Sequence, residues 1–425
     1  MKNNFMKVLH ISTNDIQGGA SRGSYSLHRG LLKSGIESLM LVATKTSDDF
    51  TVVGQNTKIQ KVFNQIKPTL DHSVLLKYPN RSNDIFSPAW VPSQVDKAVT
   101  KIAPDIIHLH WICNGFLRPE TFGKFNNIPI VWTLRDMWPF TGGCHYSQMC
   151  EKYKDSCGAC PKLGSQTEND LSRKVWKRKH KSWQDINMTI VPISHWLADC
   201  ARSSSLFQDK RIEVIHNALN ESMYKPISKN IARNILNINQ NKNIILFGAL
   251  KAVGDTRKGF QYLASALKKL SDLDEGFCKT TELLVFGSSE PNEPPELGMI
   301  AHYMGVLNDD ITLALAYSAA DVMITPSTEE AFGKTAMESL ACGTPVVCFD
   351  TTGLKDIVEH KRNGYRAKCF SSDDLARGIA WVLEDKPRWV ALSQCGREKV
   401  ENDFTVKAQA EKYISLYQSL ITNKK

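Results

Sequence analysis

Two glutamates with a lysine halfway between them are the residues whose types and spacing most directly suggest chemistry. Glu330, Lys334 and Glu338 lie in the segment 325–347, directly after an apolar run. On a single helix the two glutamates would be separated by about 12 Å along the axis, more than the roughly 5–9.5 Å between the carboxyl groups of a glycosidase acid and base. We therefore expect two carboxylates that accept hydroxyl groups of a polyol, one holding a ribose and the other a sugar.

The backbone of the same segment can bind a phosphate. Its pattern predicts a strand at 321–325, a loop, and a helix at 335–342 with Gly343 at the C-terminal cap. The N–H groups near Phe332, Gly333 and Lys334 would then lie at a helix N-terminus, whose partial positive charge favours an anion. Because this loop leaves the carboxyl end of a strand, it lies where open α/β sheets bind ligands.

Similar elements recur along the whole chain and predict the fold that positions these residues. Short apolar runs bounded by polar residues or proline predict strands that are buried on both faces of a parallel sheet. They lie at 8–11, 39–43, 106–109, 130–133, 189–193, 243–248, 282–286, 321–325 and 345–349. Helical periodicity occurs at 259–270, 311–319 and 335–342.

The pattern restarts after 224–226, which favours two domains over one large sheet. We expect an α/β protein with two doubly wound, Rossmann-like domains, at 1–222 and 223–404. The first domain carries a cysteine-rich insertion at 144–160, and a terminal helix within 405–425 packs on one of the two domains.

Length, composition and charge are consistent with this organisation. The chain has 425 residues, of which 42% are hydrophobic and 23% charged, and this excludes the disordered and fibrous classes. The first apolar stretch ends at Ser12, and no apolar run approaches the ~18 residues of a membrane span, so we expect no signal peptide and a cytoplasmic protein. The net charge of +9 favours anionic partners, which include membranes, nucleic acids and phosphorylated substrates.

The segment around the two glutamates resembles the signature of a known family. It reads Pro-Ser-x-x-Glu-x-Phe-Gly-x4-Glu-x-x-Ala-x-Gly-x-Pro-Val-Val, similar to the Glu-x7-Glu motif of the retaining nucleotide-sugar glycosyltransferases of the glycogen-synthase-like group, family 4 type. The similarity extends through 215–218, Lys258-Gly259 and 353–358 and covers most of the chain. It implies the GT-B fold, in which two Rossmann-like domains face each other across a cleft, and a retaining hexosyltransferase activity.

The resemblance implies roles for residues of the motif. Glu330 is expected to contact the donor sugar and to act in catalysis, and Glu338 is expected to contact the ribose. The backbone at Phe332, Gly333 and Lys334 is expected to approach the donor sugar and its diphosphate.

In this family a lysine and an arginine usually neutralise the diphosphate of the donor. Lys258 matches the lysine, so it is expected to act in donor binding and catalysis. The arginine position falls at or near Ala249, which departs from the family pattern. Lys251 and Arg257 are the candidates to supply the missing positive charge, since stabilisation of the leaving group needs charge rather than one residue type.

Three positions in the first half are candidates for the same site. The resemblance implies that His110, the second histidine of the segment His-Leu-His, faces the reacting centre, with His108 on the same strand face but deeper. Gly19 belongs to a glycine pair after the first strand and would let the backbone approach the donor phosphates or the acceptor. Asp136 either receives an acceptor hydroxyl or has a structural role, as a partner of Arg135 or as the cap of a turn.

Four cysteines of the insertion have a spacing that can hold a metal. They follow the pattern Cys-x5-Cys-x6-Cys-x2-Cys, in which the last pair has the tight spacing of a zinc knuckle: Cys144, Cys150, Cys157 and Cys160. Zinc bound by four thiolates would have no open position and would fold a loop rather than catalyse. Reduced thiols and stress-formed disulfides are the alternatives, and His145 can replace one ligand. The insertion resembles one found in a bacterial polysaccharide-assembly subset of the family.

A basic stretch with two tryptophans follows at 173–183. On a helix, Trp176 and Trp183 share one face, which suits contact with an anionic membrane or stacking with nucleic acid. A third interpretation places both tryptophans in the core beneath a solvated basic face.

Motif and resemblance together predict a retaining glycosyltransferase. It would move a sugar from a nucleotide diphosphate sugar to a hydroxyl of a glycan or lipid-linked oligosaccharide, in bacterial surface polysaccharide biosynthesis. The resemblance implies no catalytic metal, peripheral contact with the inner membrane face, and no nucleic-acid partner. Two alternatives remain open: a nucleotide-sugar epimerase, which would use related donor contacts without an acceptor, and a non-catalytic zinc-containing nucleic-acid-binding protein.

Overall fold

The computed structural model describes residues 6–54, 58–125, 128–248, 254–293 and 296–422. The chain divides into two units, Met1–Ala218 with Gln409–Lys425 and Leu219–Ala408. The division after Ala218 lies a few residues before the predicted boundary at 222. Most of the terminal helix belongs to the first unit.

Each unit contains one parallel sheet, formed by apolar runs that are buried on both faces. The strands of the first unit are β1 (Lys7–Asn14), β2 (Glu37–Thr44), β3 (Val52–Val53), β4 (Ile106–Leu109), β5 (Ile130–Leu134), β6 (Met188–Pro192) and β7 (Arg211–Ile212). Those of the second are β8 (Asn243–Gly248), β9 (Thr281–Phe286), β10 (Ala301–Tyr303), β11 (Val322–Thr325), β12 (Val346–Phe349) and β13 (Gly364–Ala367). The spatial orders are β3-β2-β1-β4-β5-β6-β7 and β10-β9-β8-β11-β12-β13, and every pairing between these strands is parallel.

Helices connect the strands in both units, as a parallel sheet requires. The first unit contains α1 (Gly18–Lys33), α2 (Lys58–His72), α3 (Val95–Ile102), α4 (Leu171–Trp183) and α5 (His195–Ser203). The second contains α6 (Lys229–Ile235), α7 (Phe260–Leu273), α8 (Glu275–Thr280), α9 (Asp310–Ala319), α10 (Lys334–Ala341), α11 (Ser372–Leu383) and α12 (Lys386–Asp403). The chain ends with α13 (Val406–Thr422). Within the described residues, no helix combines the length and the apolar content that crossing a bilayer requires.

The core of the first unit joins both ends of the chain. Leu27 and Leu31 of α1 and residues of the sheet pack against the terminal helix. The buried side chains that α13 contributes are Ala410, Tyr413, Leu416 and Tyr417. The Tyr417 hydroxyl lies 2.6 Å from His108 Nδ1 on β4, and the Tyr413 hydroxyl lies 2.6 Å from Thr133 Oγ1 on β5. Apolar burial and hydrogen bonds therefore both hold α13 on the first sheet.

The core of the second unit lies between its sheet and the helices α7 and α11. Leu263 and Leu267 of α7 and Ile379 of α11 belong to one buried cluster with residues of β8, β9, β11 and β12. Because the sheet is parallel, the carboxyl ends of its strands meet at one edge, where the loops that follow them can place functional groups.

The structure confirms the predicted α/β class with two parallel, Rossmann-like sheets. Each predicted strand overlaps an observed one, and Gly343 follows α10 with a φ of +79°, in agreement with its predicted position at the C-terminal cap. The strands β3, β7, β10 and β13 were not among the predictions. They lie at or near the sheet edges, and each is either only two or three residues long or, like β13 with Gly364 and Arg366, not an apolar run.

Candidate active site

The segment that carries both glutamates forms the predicted strand, loop and helix. The strand β11 ends at Thr325, and Glu330 lies in the loop that follows. The helix α10 begins at Lys334, so Glu338 lies one turn into it. Its N-cap residue, Gly333, has a φ of +107° and no side chain to cap the helix. The first backbone N–H groups of α10 therefore depend on another acceptor, which an anionic ligand can supply.

Lys258 and Glu330 form a close ion pair. The Lys258 Nζ lies 2.6 Å from Glu330 Oε2, and Arg257 Nη1 lies 3.8 Å from the same oxygen. Burial alone would raise the pKa of Glu330, but the ammonium and the guanidinium outweigh it, and the pKa is lowered. Two residues that are 72 positions apart in the sequence thus form one charged cluster at the carboxyl end of the second sheet.

A tight turn fixes Lys258 relative to the glutamate loop. Gly259 follows a 3-10 turn (Thr256–Lys258) and has a φ of +77°. A Cβ atom at this position would lie 1.9 Å from the carbonyl oxygen of Pro326. Arg257 Nη1 also donates to the carbonyl oxygen of Glu329 at 2.8 Å. Only glycine permits this close approach of the two segments.

Substitution of Gly259 by alanine is therefore expected to separate the turn from the loop. The steric clash and the left-handed backbone should together lower the free energy of unfolding by about 2 kcal/mol or more. Urea denaturation of the full chain measures this change. The matched control is Gly254→Ala, because a Cβ atom at Gly254 meets no atom within 4 Å and its φ is not in the left-handed region. Equal stability of the two variants would contradict the expectation.

Glu338 is buried and held by two neighbours. The Tyr317 hydroxyl donates to Oε2 at 2.8 Å, and the Lys334 Nζ lies 3.1 Å from Oε1. Burial, followed by the nearby carboxylate, holds the pKa of Tyr317 well above its usual value, so the hydroxyl remains a donor. Each carboxylate oxygen has more than one lone pair, so Glu338 can still accept hydroxyl groups from a ligand.

Of the other predicted donor-site residues, Phe332 is buried and stacks edge to face with Phe404 at 5.6 Å between ring centroids. A contribution of Phe332 to a site would therefore come from its backbone. Ala249 and Lys251 lie outside the described residues. Arg257 lies beside Lys258 and Glu330. It is therefore close enough to the donor residues to supply the positive charge of the family arginine that Ala249 lacks.

In the first unit, three histidines form a buried cluster. His10 on β1 is the register partner of His108 on β4, and His110 follows two residues later. His10 Nδ1 and His110 Nε2 share a hydrogen bond of 2.8 Å, and His108 Nε2 lies 2.7 Å from Thr133 Oγ1. The rings of His108 and His110 lie on the same side, with centroids 4.2 Å apart.

Burial, followed by the mutual proximity of the rings and of Arg135, holds the pKa of His10 and His110 well below the usual value. Both rings are therefore neutral at pH 7. His110 is only 2% exposed, and its Nδ1 has no hydrogen-bond partner among the described residues. The sequence interpretation missed His10, although a polar residue inside an otherwise apolar strand is a signal that could have revealed it.

Asp136 has structural partners on both oxygens. Its Oδ1 accepts the backbone N–H of Trp138 at 2.9 Å, which caps the turn that follows β5. Its Oδ2 accepts from Trp111 Nε1 at 3.0 Å and lies 2.6 Å from His145 Nδ1. Arg135 donates instead to Asn217 Oδ1 at 2.7 Å. Of the alternatives for Asp136, the structure shows the turn cap, with His145 as an additional neighbour.

Gly19 lies in the first turn of α1, where neither it nor Gly18 has an atom within 4 Å of a potential Cβ. The N-cap residue Gln17 makes no capping hydrogen bond through its side chain. The start of this 16-residue helix is thus uncovered and offers N–H groups to an anion.

The basic stretch forms α4, a helix of the first unit. Trp183 is 1% exposed, and Trp176 donates through Nε1 to Ser205 Oγ at 3.1 Å. Trp183 therefore agrees with the interpretation that places the tryptophans in the core, whereas Trp176 is only half-buried. Lys179 departs from it, because this lysine is fully buried rather than solvated. It lies four residues from both Val175 and Trp183, on the buried face of the helix.

The four cysteines of the insertion are free thiols that line one small cavity. The structure thus brings together Cys144, Cys150, Cys157 and Cys160, as their spacing predicted. His145 is directed away from them, since its two ring nitrogens contact Asp136 and Ser87.

Comparisons with known proteins identify relatives over most of the chain. An uncharacterized glycosyltransferase of Methanocaldococcus jannaschii, MJ1607, is 27% identical over 57% of this chain and 61% of its own length, so the match spans less than two thirds of that protein. The putative colanic acid biosynthesis glycosyl transferase WcaC of Escherichia coli is 22% identical over 98% of this chain and 100% of its own length. The solved structure of Anabaena Alr3699/HepE in complex with UDP-glucose superimposes with a TM-score of 0.63 at 16% identity, covering 97% of this chain and 100% of that one.

Two family models match the chain. The model for glycosyl transferases group 1 matches residues 228–399, which include Lys258, Glu330 and Glu338. The model for glycosyltransferase family 4 matches residues 17–222, which include His110 and the cysteines of the insertion. Because both models describe glycosyltransferases and together cover most of both units, the chain belongs to the GT-B glycosyltransferases of group 1, with a family 4 domain in its first half.

Proposed function

We propose that this glycosyltransferase transfers a hexosyl residue from a nucleoside diphosphate sugar to a hydroxyl group of a glycan or lipid-linked oligosaccharide, with retention of the anomeric configuration. The observation that carries the proposal is the cluster of Lys258, Arg257 and Glu330 beside the uncapped start of α10. It combines positive charge for a diphosphate with a carboxylate for sugar hydroxyls. The relative that matches the whole chain is named for colanic acid biosynthesis, and this supports a role in surface polysaccharide assembly.

The chemistry that we propose uses the charges of the second unit on the donor. Lys258, Arg257 and the first N–H groups of α10 stabilise the diphosphate as the bond from the anomeric carbon to the phosphate oxygen breaks. Glu330 accepts hydroxyl groups of the sugar, and Glu338 accepts those of the ribose. The acceptor oxygen bonds to the anomeric carbon on the same face, and its proton passes to the departing diphosphate. The cations of the protein neutralise the leaving group, so we assign no step to a metal.

His110 and Asp136 are proposed for the first-unit part of the site. A neutral His110 can donate or accept a hydrogen bond without adding charge beside the developing positive charge of the sugar ring. Asp136 is proposed to accept an acceptor hydroxyl group itself, because its three partners leave part of the accepting capacity of the carboxylate free. Gly19 is proposed to bring the start of α1 to the phosphates or the acceptor.

Nucleotide binding tests the donor site. Titration calorimetry with UDP, GDP and ADP, and then with the matching nucleotide sugars, should identify one base, with a dissociation constant that rises about 10- to 100-fold in Glu338→Gln, since a charged hydrogen bond is worth about 1.5–3 kcal/mol. The control is Glu411→Gln, an exposed carboxylate on α13, which should bind as the wild type does. Failure of every nucleotide to bind would refute the proposal.

The products distinguish retention and transfer from the alternatives. Proton NMR of the product formed from an α-linked donor should show an α-linkage if the enzyme retains configuration. Conversion of the donor sugar to its epimer without an added acceptor would favour the epimerase instead.

We further propose that the exposed lysines of α4 attach the protein to anionic membranes. Lys174, Lys177 and Lys181 are exposed on the face opposite the buried tryptophan. Each lysine near such a surface contributes about 1 kcal/mol. Cosedimentation with vesicles of phosphatidylserine and phosphatidylcholine should therefore fall by at least tenfold when all three are changed to glutamate. The control changes three exposed lysines elsewhere: Lys101, Lys407 and Lys412. Equal binding of the two triple variants would count against the proposal.

A further inference from the structure

The cysteine-rich insertion encloses a cavity that the proposed transfer reaction does not use. The cavity has a volume of about 20 Å³, and its lining includes all four cysteines of the cluster: Cys144, Cys150, Cys157 and Cys160. A space of this size holds about one water-sized particle. Residues that are up to 16 positions apart in the sequence thus surround a space suited to a single ion.

The backbone around Cys157 and Cys160 forms a turn that can present the two cysteines to a metal. Cys157 and Ala159 have φ values of +53° and +39°, a conformation that non-glycine residues seldom adopt. The backbone N–H of Gly142 donates to Cys157 Sγ at 3.1 Å. Hydrogen bonds from backbone N–H groups stabilise a sulfur that carries negative charge. This hydrogen bond and the strained turn hold Cys157 in place, and Cys157 lines the cavity together with Cys160.

Two cations contact the same turn, and a third is buried in the same unit. The Lys152 Nζ donates to the carbonyl oxygens of Gly158 and Ala159 at 3.1 and 3.2 Å. Arg173 Nε donates to the carbonyl oxygen of Cys157 at 2.8 Å. Arg173 Nη2 and Lys152 Nζ also lie 2.8 and 3.6 Å from the carboxylate oxygens of Glu168, which balances one of these two positive charges.

The third cation, Lys179, is the most informative because it is fully buried. Its Nζ donates to the carbonyl oxygens of Thr141, at 2.9 Å, and of Trp138, and it lies 3.7 Å from the centroid of the Trp138 ring. Burial lowers the pKa of Lys179 to about 7, and the nearby Cys113, Cys157, Cys144 and Asp136 oppose this shift. A buried ammonium group is costly unless negative charge lies nearby.

We propose that Cys144, Cys150, Cys157 and Cys160 bind one Zn²⁺ ion as four thiolates. Four thiolates and one divalent ion leave two negative charges in excess. Lys152, Arg173 and Lys179 can balance them, because Glu168 takes up only one of these three positive charges. Tetrahedral coordination by sulfur suits zinc and leaves no open position, so the ion stabilises the loop and does not react. No three of the four sulfurs lie mutually within 4.8 Å, so binding requires rotation of the thiol side chains towards the cavity.

The zinc site would also hold the surroundings of Asp136 in place. Cys144 directly precedes His145, whose Nδ1 contacts Asp136 and whose Nε2 lies 2.9 Å from Ser87 Oγ. The carbonyl oxygen of His145 accepts from the backbone N–H of Met137 at 3.0 Å. Loss of the metal should thus loosen the turn after β5 in the first unit, without touching the donor residues of the second.

Metal analysis of the full-length protein tests the proposal. Protein purified under reducing conditions should contain one equivalent of zinc by plasma mass spectrometry. Replacement by Co²⁺ should produce the thiolate charge-transfer and tetrahedral absorption bands of a four-sulfur site. Cys157→Ser and Cys160→Ser should each lose the metal, and the control Cys369→Ser should retain it, because Cys369 is exposed and outside the cavity.

Further measurements keep the test decisive if the variants do not fold. Treatment of the wild type with a zinc chelator should release the metal, lower the Tm and expose four additional thiols to a thiol reagent, whereas the nucleotide-induced rise in Tm should persist. Wild-type protein that contains no metal would overturn the proposal, as would disulfides between these cysteines or iron in place of zinc.

Discussion

Replacement of Lys258 by methionine is expected to lower kcat by ~10²–10³-fold, the usual cost of removing one group that stabilises a leaving anion. The Lys258 Nζ is 2.6 Å from Glu330 Oε2 and is closer to that carboxylate than Arg257 is. The substitution also leaves the buried Glu330 with the more distant Arg257, so the pKa of Glu330 should rise. Turnover of the nucleotide sugar that binds most tightly, in the presence of glycan acceptors, measures the effect.

Two variants control for charge and for stability. Lys258→Arg keeps the charge and should recover part of the activity. Lys269→Met removes a lysine that is paired with Asp373 on the surface and should leave kcat unchanged. If kcat of Lys258→Met falls by less than about tenfold, Arg257 and the start of α10 suffice to stabilise the leaving diphosphate. That result would contradict the proposed role of Lys258.

Removal of residues 406–425 is expected to prevent the first unit from folding. The helix α13 buries Ala410, Tyr413, Leu416 and Tyr417, which are at most 3% exposed. At about 1.5–3 kcal/mol for each of the three large side chains, the lost burial is about 5–9 kcal/mol, comparable with the whole stability of a typical domain. The truncation also removes the hydroxyl groups that contact His108 and Thr133.

Soluble yield, far-UV circular dichroism and urea denaturation of the truncated chain test this expectation. A chain that ends at Thr422 keeps the described helix and should match the full-length protein. Tyr413→Phe and Tyr417→Phe keep the packing and should each cost only about 1 kcal/mol, the value of one hydrogen bond. A soluble truncated protein with a native unfolding transition would show that the terminal helix is dispensable.

The sequence predicted the central strands and the position of the motif, because both depend on local patterns. Apolar runs between turn residues indicate buried parallel strands, and Glu330 and Glu338 lie in the predicted loop and helix. The family assignment also counts against a non-catalytic nucleic-acid-binding protein, since both matching family models describe glycosyltransferases.

Contacts between distant segments could not be predicted from such patterns. The sequence did not show which domain α13 joins, because Tyr417 and His108 are 309 positions apart. The ion pair of Lys258 and Glu330 depends on a turn that approaches the carbonyl oxygen of Pro326. Lys179 was interpreted as part of a basic surface, although its spacing of four residues from Val175 and Trp183 indicates the buried face of α4.

The contact between Lys258 and Glu330 also determines how the site treats small anions. In the absence of a donor, the Lys258 ammonium group already pairs with the carboxylate of Glu330. Free phosphate must therefore displace a carboxylate that is part of the protein and cannot diffuse away. Under the proposed roles, an intact nucleotide sugar donates hydrogen bonds from its sugar hydroxyl groups to Glu330 and so replaces the contact with Lys258. The nucleoside diphosphate that is left after transfer has no such sugar and cannot replace that contact. After transfer, Glu330 would therefore pair with Lys258 again. The same ion pair would thus favour binding of the nucleotide sugar and release of the nucleoside diphosphate.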